Sequence, residues 1–475
     1  MADPRAVPSD RGLTSLLGDI HTNPAGAAEL RAWAGLSILS LAVAGLFALL
    51  LAVSRIPGIE SVVRWPVGFF QKGLVIHVVF SFVVWFLGVF GTLLHLATVA
   101  LAGGIPKFIP LGRFALIAVA ASMPMLFLPA FLDRGEPSLN NYIPTIVDPL
   151  YYLGLLVLAC GMLAAILRLL LNAGGRRRPV GGDLIGMLAG AGIFVVALAC
   201  FGLSLASLAG LPPSASFNES LFWGGGHVLQ FLNATLAVLA WTLLARLALG
   251  QPRLGDGSLR AAVLWLLAMV LATPFLYWGQ DGLQAARFSL FTDLQYALAP
   301  PTVLVAAALL VAVLKGRAAG RLPWNDPGFL CLVLSPLVFG VGGVLGLFVD
   351  GADTRTPAHY HGVIAGINLA FMGLFYGLFL PILGRRPARS RILYAQIYLF
   401  AFGQTMAAVG LFLAGGYGAP RKTAGAAQGL EGFGQIAGLA LNGIGGVIAV
   451  IGGILFIWTA AKALLEKPAS LKKPA

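Results

Sequence analysis

Residues 356–384 read TPAHYHGVIAGINLAFMGLFYGLFLPILG. The stretch holds no Asp, Glu, Lys or Arg, and its apolar residues run continuously instead of alternating. Such a run reads as one α-helix able to cross a hydrocarbon core of about 30 Å. Two imidazoles, His359 and His361, stand at its start. Ionisable groups inside lipid are costly and mark functional sites by default. Two residues apart on a helix, the rings diverge by about 200° around the axis, so they serve two sites and cannot grip opposite faces of one flat group.

Outward from this stretch lie eleven further runs of the same character, at about 32–53, 67–101, 112–132, 148–171, 182–209, 219–247, 259–280, 296–315, 328–350, 391–416 and 432–464. Composition agrees. Of 475 residues, 59% are hydrophobic and 10% charged, where soluble domains carry roughly 25% charged residues. Soluble, collagen-like, disulfide-stapled and disordered classes are excluded. The expected fold is all-α and integral to a membrane: a twelve-transmembrane-helix bundle over 32–464, with a cytoplasmic N-terminal segment 1–31 and a cytoplasmic tail 465–475. Cys160, Cys200 and Cys331 lie in apolar runs without metal-binding or haem-attaching spacing and read as packing residues. The polar start through Pro24 lacks a signal-peptide pattern, so insertion is expected to use the first span.

The net charge of +13 could suggest nucleic acid, but its distribution says otherwise. With both termini on one side, 23 of the 31 lysines and arginines fall on that side. The positive-inside rule then places both termini in the cytoplasm, and the partner implied is anionic lipid, not nucleic acid.

Of six histidines, His21 lies in the N-terminal segment and His95 near the inner end of the second span, where an ordinary hydrogen-bonded histidine is expected. His77, His227, His359 and His361 share one depth instead, near the outer ends of the second, sixth and tenth spans. One of the tenth-span pair can face His77 and the other His227. Neutral imidazoles in a dry layer suit a metal, and haem iron commonly takes an axial histidine. Zinc fits less well, for it wants three or four converging ligands. Gly224, Gly225, Gly226, Gly362 and Gly366 thin the helices near the histidines, which would let a planar group approach but equally lets helices pack. Arg421 and Lys422, adjacent cations on the outer face, are placed to pair with cofactor carboxylates.

Together these residues resemble subunit I of the haem-copper oxidase and nitric oxide reductase superfamily over nearly the whole chain. The resemblance implies that the first histidine of His359-Tyr360-His361 is the axial ligand of an active-site haem, and that His361 and His77 hold a low-spin haem. It implies that Pro420-Arg421-Lys422 holds haem propionates, with Lys in place of a second Arg, and that His227 binds a second metal, copper or non-haem iron. There are departures. No histidine lies between His227 and His359, so the family's seventh-helix His-His pair is missing; counting back from Leu298-Ala299-Pro300 puts Tyr277-Trp278 in its place. Phe231 stands where a redox tyrosine or a glutamate is usual, and the spans lack the carboxylates and lysine of the family's proton routes.

The expectation is a dihaem membrane oxidoreductase of the bacterial inner membrane, its two haems b-type. Electrons pass from the His77/His361 haem to the His359 haem, which binds NO or O2 facing His227 and Tyr277. Gln230, Asn233 and Asp281 are further polar groups near that face. The second metal site is incomplete, and no proton pumping is expected. An electron donor, a cytochrome c-type subunit or quinol, and accessory membrane subunits are implied. The competing reading is a non-catalytic electron-transfer or gas-sensing subunit; a transporter is a third.

Overall fold

A computed structural model describes Leu13 and residues 24–54, 69–103, 105–174, 180–278, 284–320, 322–349, 351, 353–385, 387–422 and 429–466. It contains twelve helices long and apolar enough to cross a membrane. They are α1 (Pro24–Leu51), α2 (Phe70–Ala102), α3 (Ile109–Phe131), α4 (Pro149–Ala173), α5 (Gly182–Ser207) and α6 (Ala215–Leu249). The second half comprises α7 (Asp256–Tyr277), α8 (Ala286–Ala318), α9 (Pro327–Gly346), α10 (Arg355–Ile382), α11 (Arg391–Gly416) and α12 (Phe433–Leu465).

Two boundaries differ from expectation for a physical reason. α1 begins at Pro24, inside the segment read as soluble, because Glu29 does not face water: its carboxylate pairs with Arg168 of α4. α8 begins at Ala286, where Arg287 lies over the Tyr277 ring at 4.6 Å, so the charge has a partner. A charge that finds a protein partner does not end a helix. The bundle also carries one antiparallel hairpin that the all-helical reading lacked, β1 (Glu136–Ser138) paired with β2 (Thr145–Val147) between α3 and α4.

Burial ranks the helices. Buried shares are 72% for α2, 89% for α6 and 83% for α10, and 56% or less for every other span. The three histidine-bearing helices are therefore the centre of the bundle, and the others form its lipid-facing wall. α9 locks onto α10 through glycine: a Cβ on Gly362 would stand 2.5 Å from the Gly342 Cα, and one on Gly366 would stand 2.5 Å from the Phe339 Cβ. Close backbone approach of this kind drives association where lipid offers no hydrophobic gain. These two glycines thus face a neighbouring helix and do not open a cofactor cradle. α11 and α12 interlock the same way along Gly403 and Gly410 against Gly438, Gly445 and Gly452.

α2 and α10 each carry a π-turn, at Val79–Val84 and Phe375–Phe379. Such turns insert one extra residue and rotate the downstream face, and they recur at functional sites. After its π-turn, α2 presents Trp85, whose Nε1–H donates to Asn368 Oδ1 of α10 at 2.8 Å. Trp85 also stacks on Phe375 at 5.7 Å, and Phe86 meets Phe371 edge-on at 5.0 Å. Trp85 and Asn368 lie about two turns, roughly 11 Å, inward of His77 and His361, with Phe371 and Phe375 further inward. They close the floor of the space between the two helices.

Candidate functional site

The histidines of the outer layer share one hydrogen-bond pattern. His77 Nδ1 lies 2.9 Å from the Ala44 carbonyl of α1, and His227 Nδ1 lies 2.7 Å from the Trp223 carbonyl one turn earlier. His359 Nδ1 is 2.8 Å from the Gly342 carbonyl of α9, and His361 Nδ1 is 2.7 Å from the Pro357 carbonyl. A carbonyl only accepts, so each Nδ1 carries the proton and each neutral ring keeps its lone pair on Nε2. A backbone carbonyl on the far nitrogen is the usual way to fix the tautomer of a metal-binding imidazole. His77, His359 and His361 are half-buried, whereas His227 is buried.

This donor set fits haem. Three neutral imidazoles on α2 and α10 offer Nε2 at one depth, in the most buried part of the bundle, above a closed aromatic floor. Above them, the 419–422 loop is fastened to the start of α10: Thr354 N–H donates to the Ala419 carbonyl at 3.0 Å, and Asp353 bridges to Pro420. Arg421 makes no hydrogen bond or ion pair among the described residues, which suits a guanidinium kept for a carboxylate. Lys422 differs. Its Nζ donates to the Leu139 carbonyl at 2.5 Å and lies 3.4 Å from Asn141 Oδ1. Burial, then the charge of Arg421, lower the Lys422 ammonium below the ordinary lysine range, against the pull of Glu219. Of the two cations expected to meet carboxylates, Lys422 is already engaged with a loop.

That loop supplies the residue that sequence reasoning missed. Tyr142, between β1 and β2, donates its O–H to His227 Nε2 at 2.8 Å. Its ring sits 4.3 Å from the imidazole, and Trp223 and Phe291 complete an aromatic box at 4.8 and 6.0 Å. Burial and the nearby Glu219 carboxylate raise the Tyr142 phenol above its ordinary range while Arg421 opposes them, so it is a donor. The second metal does not fit this arrangement. His227 has its ligating nitrogen capped, and among the described residues no group of three or more His, Cys, Asp or Glu could hold a metal ion.

Tyr277 lies elsewhere. It ends α7 in a 3-10 turn, and a Cβ on Gly224 would stand 2.1 Å from its hydroxyl. It therefore packs against the side of α6 near Gly224, while the lone pair of His227 meets Tyr142. Trp278 is 80% exposed, so the pair counted into the missing His-His position does not converge on His227. Gly225 and Gly226 are likewise filled by protein, Phe201 and Tyr142 respectively. Gln230 donates to the Gly226 carbonyl of its own helix at 3.2 Å, and Asn233 to Gln230 at 3.4 Å. Asp281 falls outside the described residues.

Residues 30–455 match the family described as cytochrome c and quinol oxidase polypeptide I. The chain belongs to that family. It is 26% identical to an uncharacterised protein of Rickettsia prowazekii over 91% of this chain and 95% of the other. It is 30% identical to an uncharacterised protein of Aquifex aeolicus, over 72% of this chain and 83% of that one. It is also 28% identical to a cytochrome c oxidase subunit 1 of Thermus thermophilus, over 52% of this chain and 48% of the relative. Among solved structures, a haem-copper terminal oxidase dimer matches 94% of this chain and 85% of its own, with TM-score 0.76 and 17% identity. The oxidase subunit I fold and family are thereby shown, and with them haem as the expected class of cofactor.

Proposed function

We propose that the protein is a dihaem membrane oxidoreductase subunit. His77 and His361 would hold a low-spin haem, and His359 a second haem, with His227 on the neighbouring α6. Haem iron would supply single-electron transfer and, at the second site, binding of NO or O2. The chain's own residues do the rest. Carbonyls of Ala44, Gly342 and Pro357 fix the tautomers, Arg421 offers a guanidinium to a propionate, and the Trp85–Asn368 floor bars water from below. The observation that carries the reading is the shared pattern of Nδ1–H on a backbone carbonyl at four histidines near one end of α2, α6 and α10.

Both haems are read as b-type, both termini as cytoplasmic and the membrane as the bacterial inner one. A cytochrome c-type subunit or quinol would bring electrons, with accessory membrane subunits. Proton pumping is not part of the reading, since a pump needs intramembrane relays. The buried carboxylates point to structure instead: Glu29 pairs with Arg168, and Asp183 accepts the Leu13 N–H at 2.5 Å. Dithionite-reduced spectra with and without CO, alongside iron and copper counts, test the proposal. The expected result is two haems, one binding CO, and no stoichiometric copper; a colourless, properly inserted preparation would overturn it.

One observation favours a second reading. The Tyr142 cap on His227 suits a non-catalytic electron-transfer or gas-sensing subunit, because it removes the second metal that would share in reduction. Turnover of NO or O2 with quinol or cytochrome c as donor separates the two.

A further inference from the structure

We propose that Glu29, His95 and Arg168 form a proton-binding site at the inner end of the bundle, in which His95 Nδ1 takes up and releases one proton against the Glu29 carboxylate. The site stands apart from the haems, at the opposite end of α2 from His77.

Its parts converge on one small cavity. Trp33 and Glu29 of α1, His95 and Thr98 of α2, Gly112 of α3 and Arg168 of α4 line a space of about one water's size. His95 is 3% exposed, and its Nε2–H is fixed on the Gly26 carbonyl at 2.9 Å. Its Nδ1 is buried and makes no hydrogen bond, although Glu29 Oε1 lies 3.2 Å away. In the neutral ring that nitrogen carries a lone pair, and a lone pair facing a carboxylate oxygen gains nothing. Buried polar atoms are normally satisfied, and leaving one unpaired is costly. A proton on Nδ1 turns the opposed pair into a charge-assisted hydrogen bond.

The surroundings let that proton come and go. Arg168 pairs with Glu29 and donates Nε–H to the Lys107 carbonyl at 3.1 Å, which anchors the guanidinium. The Glu29 side chain is 15% exposed against 1% for the ring, so water at the inner face reaches Nδ1 through the carboxylate. Uptake moves a proton from water to Nδ1, whose new N–H donates to Glu29 Oε1. Release returns it to water, and the freed lone pair accepts from a water in the cavity. Gly112 keeps the room open, since a Cβ there would overlap Arg168 Nη1 and stand 2.8 Å from Glu29 Oε1. On the neighbouring elements Arg31, Lys107 and Arg113 are exposed, and buried Asp183 of α5 accepts from the Leu13 N–H. Glu29 and Arg168 therefore set the balance at the ring. Residues 32–51 of α1 and 78–94 of α2 carry no ionisable side chain, so these helices store a proton at the inner end without relaying it outward.

The test reads the two ring nitrogens directly. Full-length protein with nitrogen-15 histidine in lipid bilayers is followed by solid-state NMR over about pH 4–9, which brackets the range where imidazole changes charge. The difference between wild type and His95→Asn assigns the His95 signals. In wild type, Nδ1 should pass reversibly from unprotonated to protonated as the pH falls, with Nε2 protonated throughout. Glu29→Gln keeps the shape and removes the negative charge. Protonating Nδ1 should then need about 10- to 1000-fold more acid, the span for losing an opposite charge within about 4–6 Å. Arg168→Gln, which removes the opposing cation, should move the changeover the other way, and Glu29→Asp should stay near wild type. A wild-type ring that keeps one state over the whole range would overturn the proposal, as would Glu29→Gln titrating with wild type. Elution profiles check folding of each variant, and if neither Gln variant folds, the wild-type titration still decides.

Discussion

α2 carries two histidines in two environments. His77, at the outer end, gives its Nδ1 proton to a carbonyl and keeps Nε2 as a base. His95, eighteen residues inward, is turned the other way: Nε2 lies 2.9 Å from the Gly26 carbonyl, and Nδ1 lies 3.2 Å from Glu29 Oε1. The Nε2–H of His95 therefore donates to the Gly26 carbonyl, and the Glu29 carboxylate lies beside its other nitrogen. Around it Glu29 pairs with Arg168, which also donates Nε–H to the Lys107 carbonyl at 3.1 Å. Imidazole in a helix interior is thus not in itself a ligand. What separates the two is which nitrogen holds the proton: Nδ1 at His77 and Nε2 at His95.

The largest test of that contrast is loss of colour. His77→Ala and His361→Ala should each abolish the same low-spin signal, and His359→Ala should remove only the CO-binding haem, all read by reduced-minus-oxidised spectra. His95→Ala should keep both signals. If His77→Ala and His361→Ala struck different haems, the proposed pairing across α2 and α10 would be wrong.

The inner cluster should fail in a different currency. Glu29→Ala leaves Arg168, with a side chain only 4% exposed, buried without its carboxylate. Breaking a buried pair by removing one partner costs about 3–5 kcal/mol. The variant should therefore lose thermal stability in detergent while its haem spectra at matched yield stay unchanged. A shifted Soret band in Glu29→Ala would mean that the two regions are coupled.

Between these extremes lies packing. Gly362→Ala places a methyl against the Gly342 backbone, one residue beyond His361 and beside the carbonyl that holds His359. Overpacking of this kind costs about 1–3 kcal/mol. Because the clash displaces the helix that bears His359 and His361, broadened or shifted bands of both proposed haems are expected, with stability losses smaller than for Glu29→Ala.

These cases also show what sequence alone could carry. The twelve spans were legible because lipid makes hydropathy nearly decisive, and the histidine layer because a helix converts residue number into depth. Glu29 and Arg31 lower local hydropathy, so the sequence places the start of α1 near residue 32, and only the tertiary pair with Arg168 makes Glu29 compatible with a buried helix. Tyr142 was invisible for a related reason. Its meeting with His227 spans 85 residues and is set by a loop clasped from Glu219 and Lys422, so no local pattern announces it. Counting back from Leu298-Ala299-Pro300 reaches Tyr277 but carries no sign of the 3-10 turn that ends α7 and sets the ring against Gly224. Glycine at 362 and 366 was ambiguous because thinning a helix serves a cofactor and a neighbouring helix alike, and here α9 occupies the room.

The smallest expected effect concerns the floor between α2 and α10. Asn368→Leu removes the acceptor of the Trp85 indole N–H, leaving a fully buried donor unsatisfied. The penalty is about 1–3 kcal/mol, and although Trp85 retains its contacts with Phe375 and Phe371, the floor is loosened. Both haem bands should remain, and the low-spin haem should become easier to displace by imidazole or to extract, since water gains access from below. The paired change Trp85→Phe with Asn368→Leu removes donor and acceptor together and should recover most of the stability without restoring the seal. If the single and double variants lose haem to the same extent yet differ in stability, the hydrogen bond serves packing and the aromatic floor alone excludes water. If neither loses haem faster than wild type, the space above Trp85 is not the low-spin pocket, and the contrast drawn between His77 and His95 no longer bears on cofactor binding.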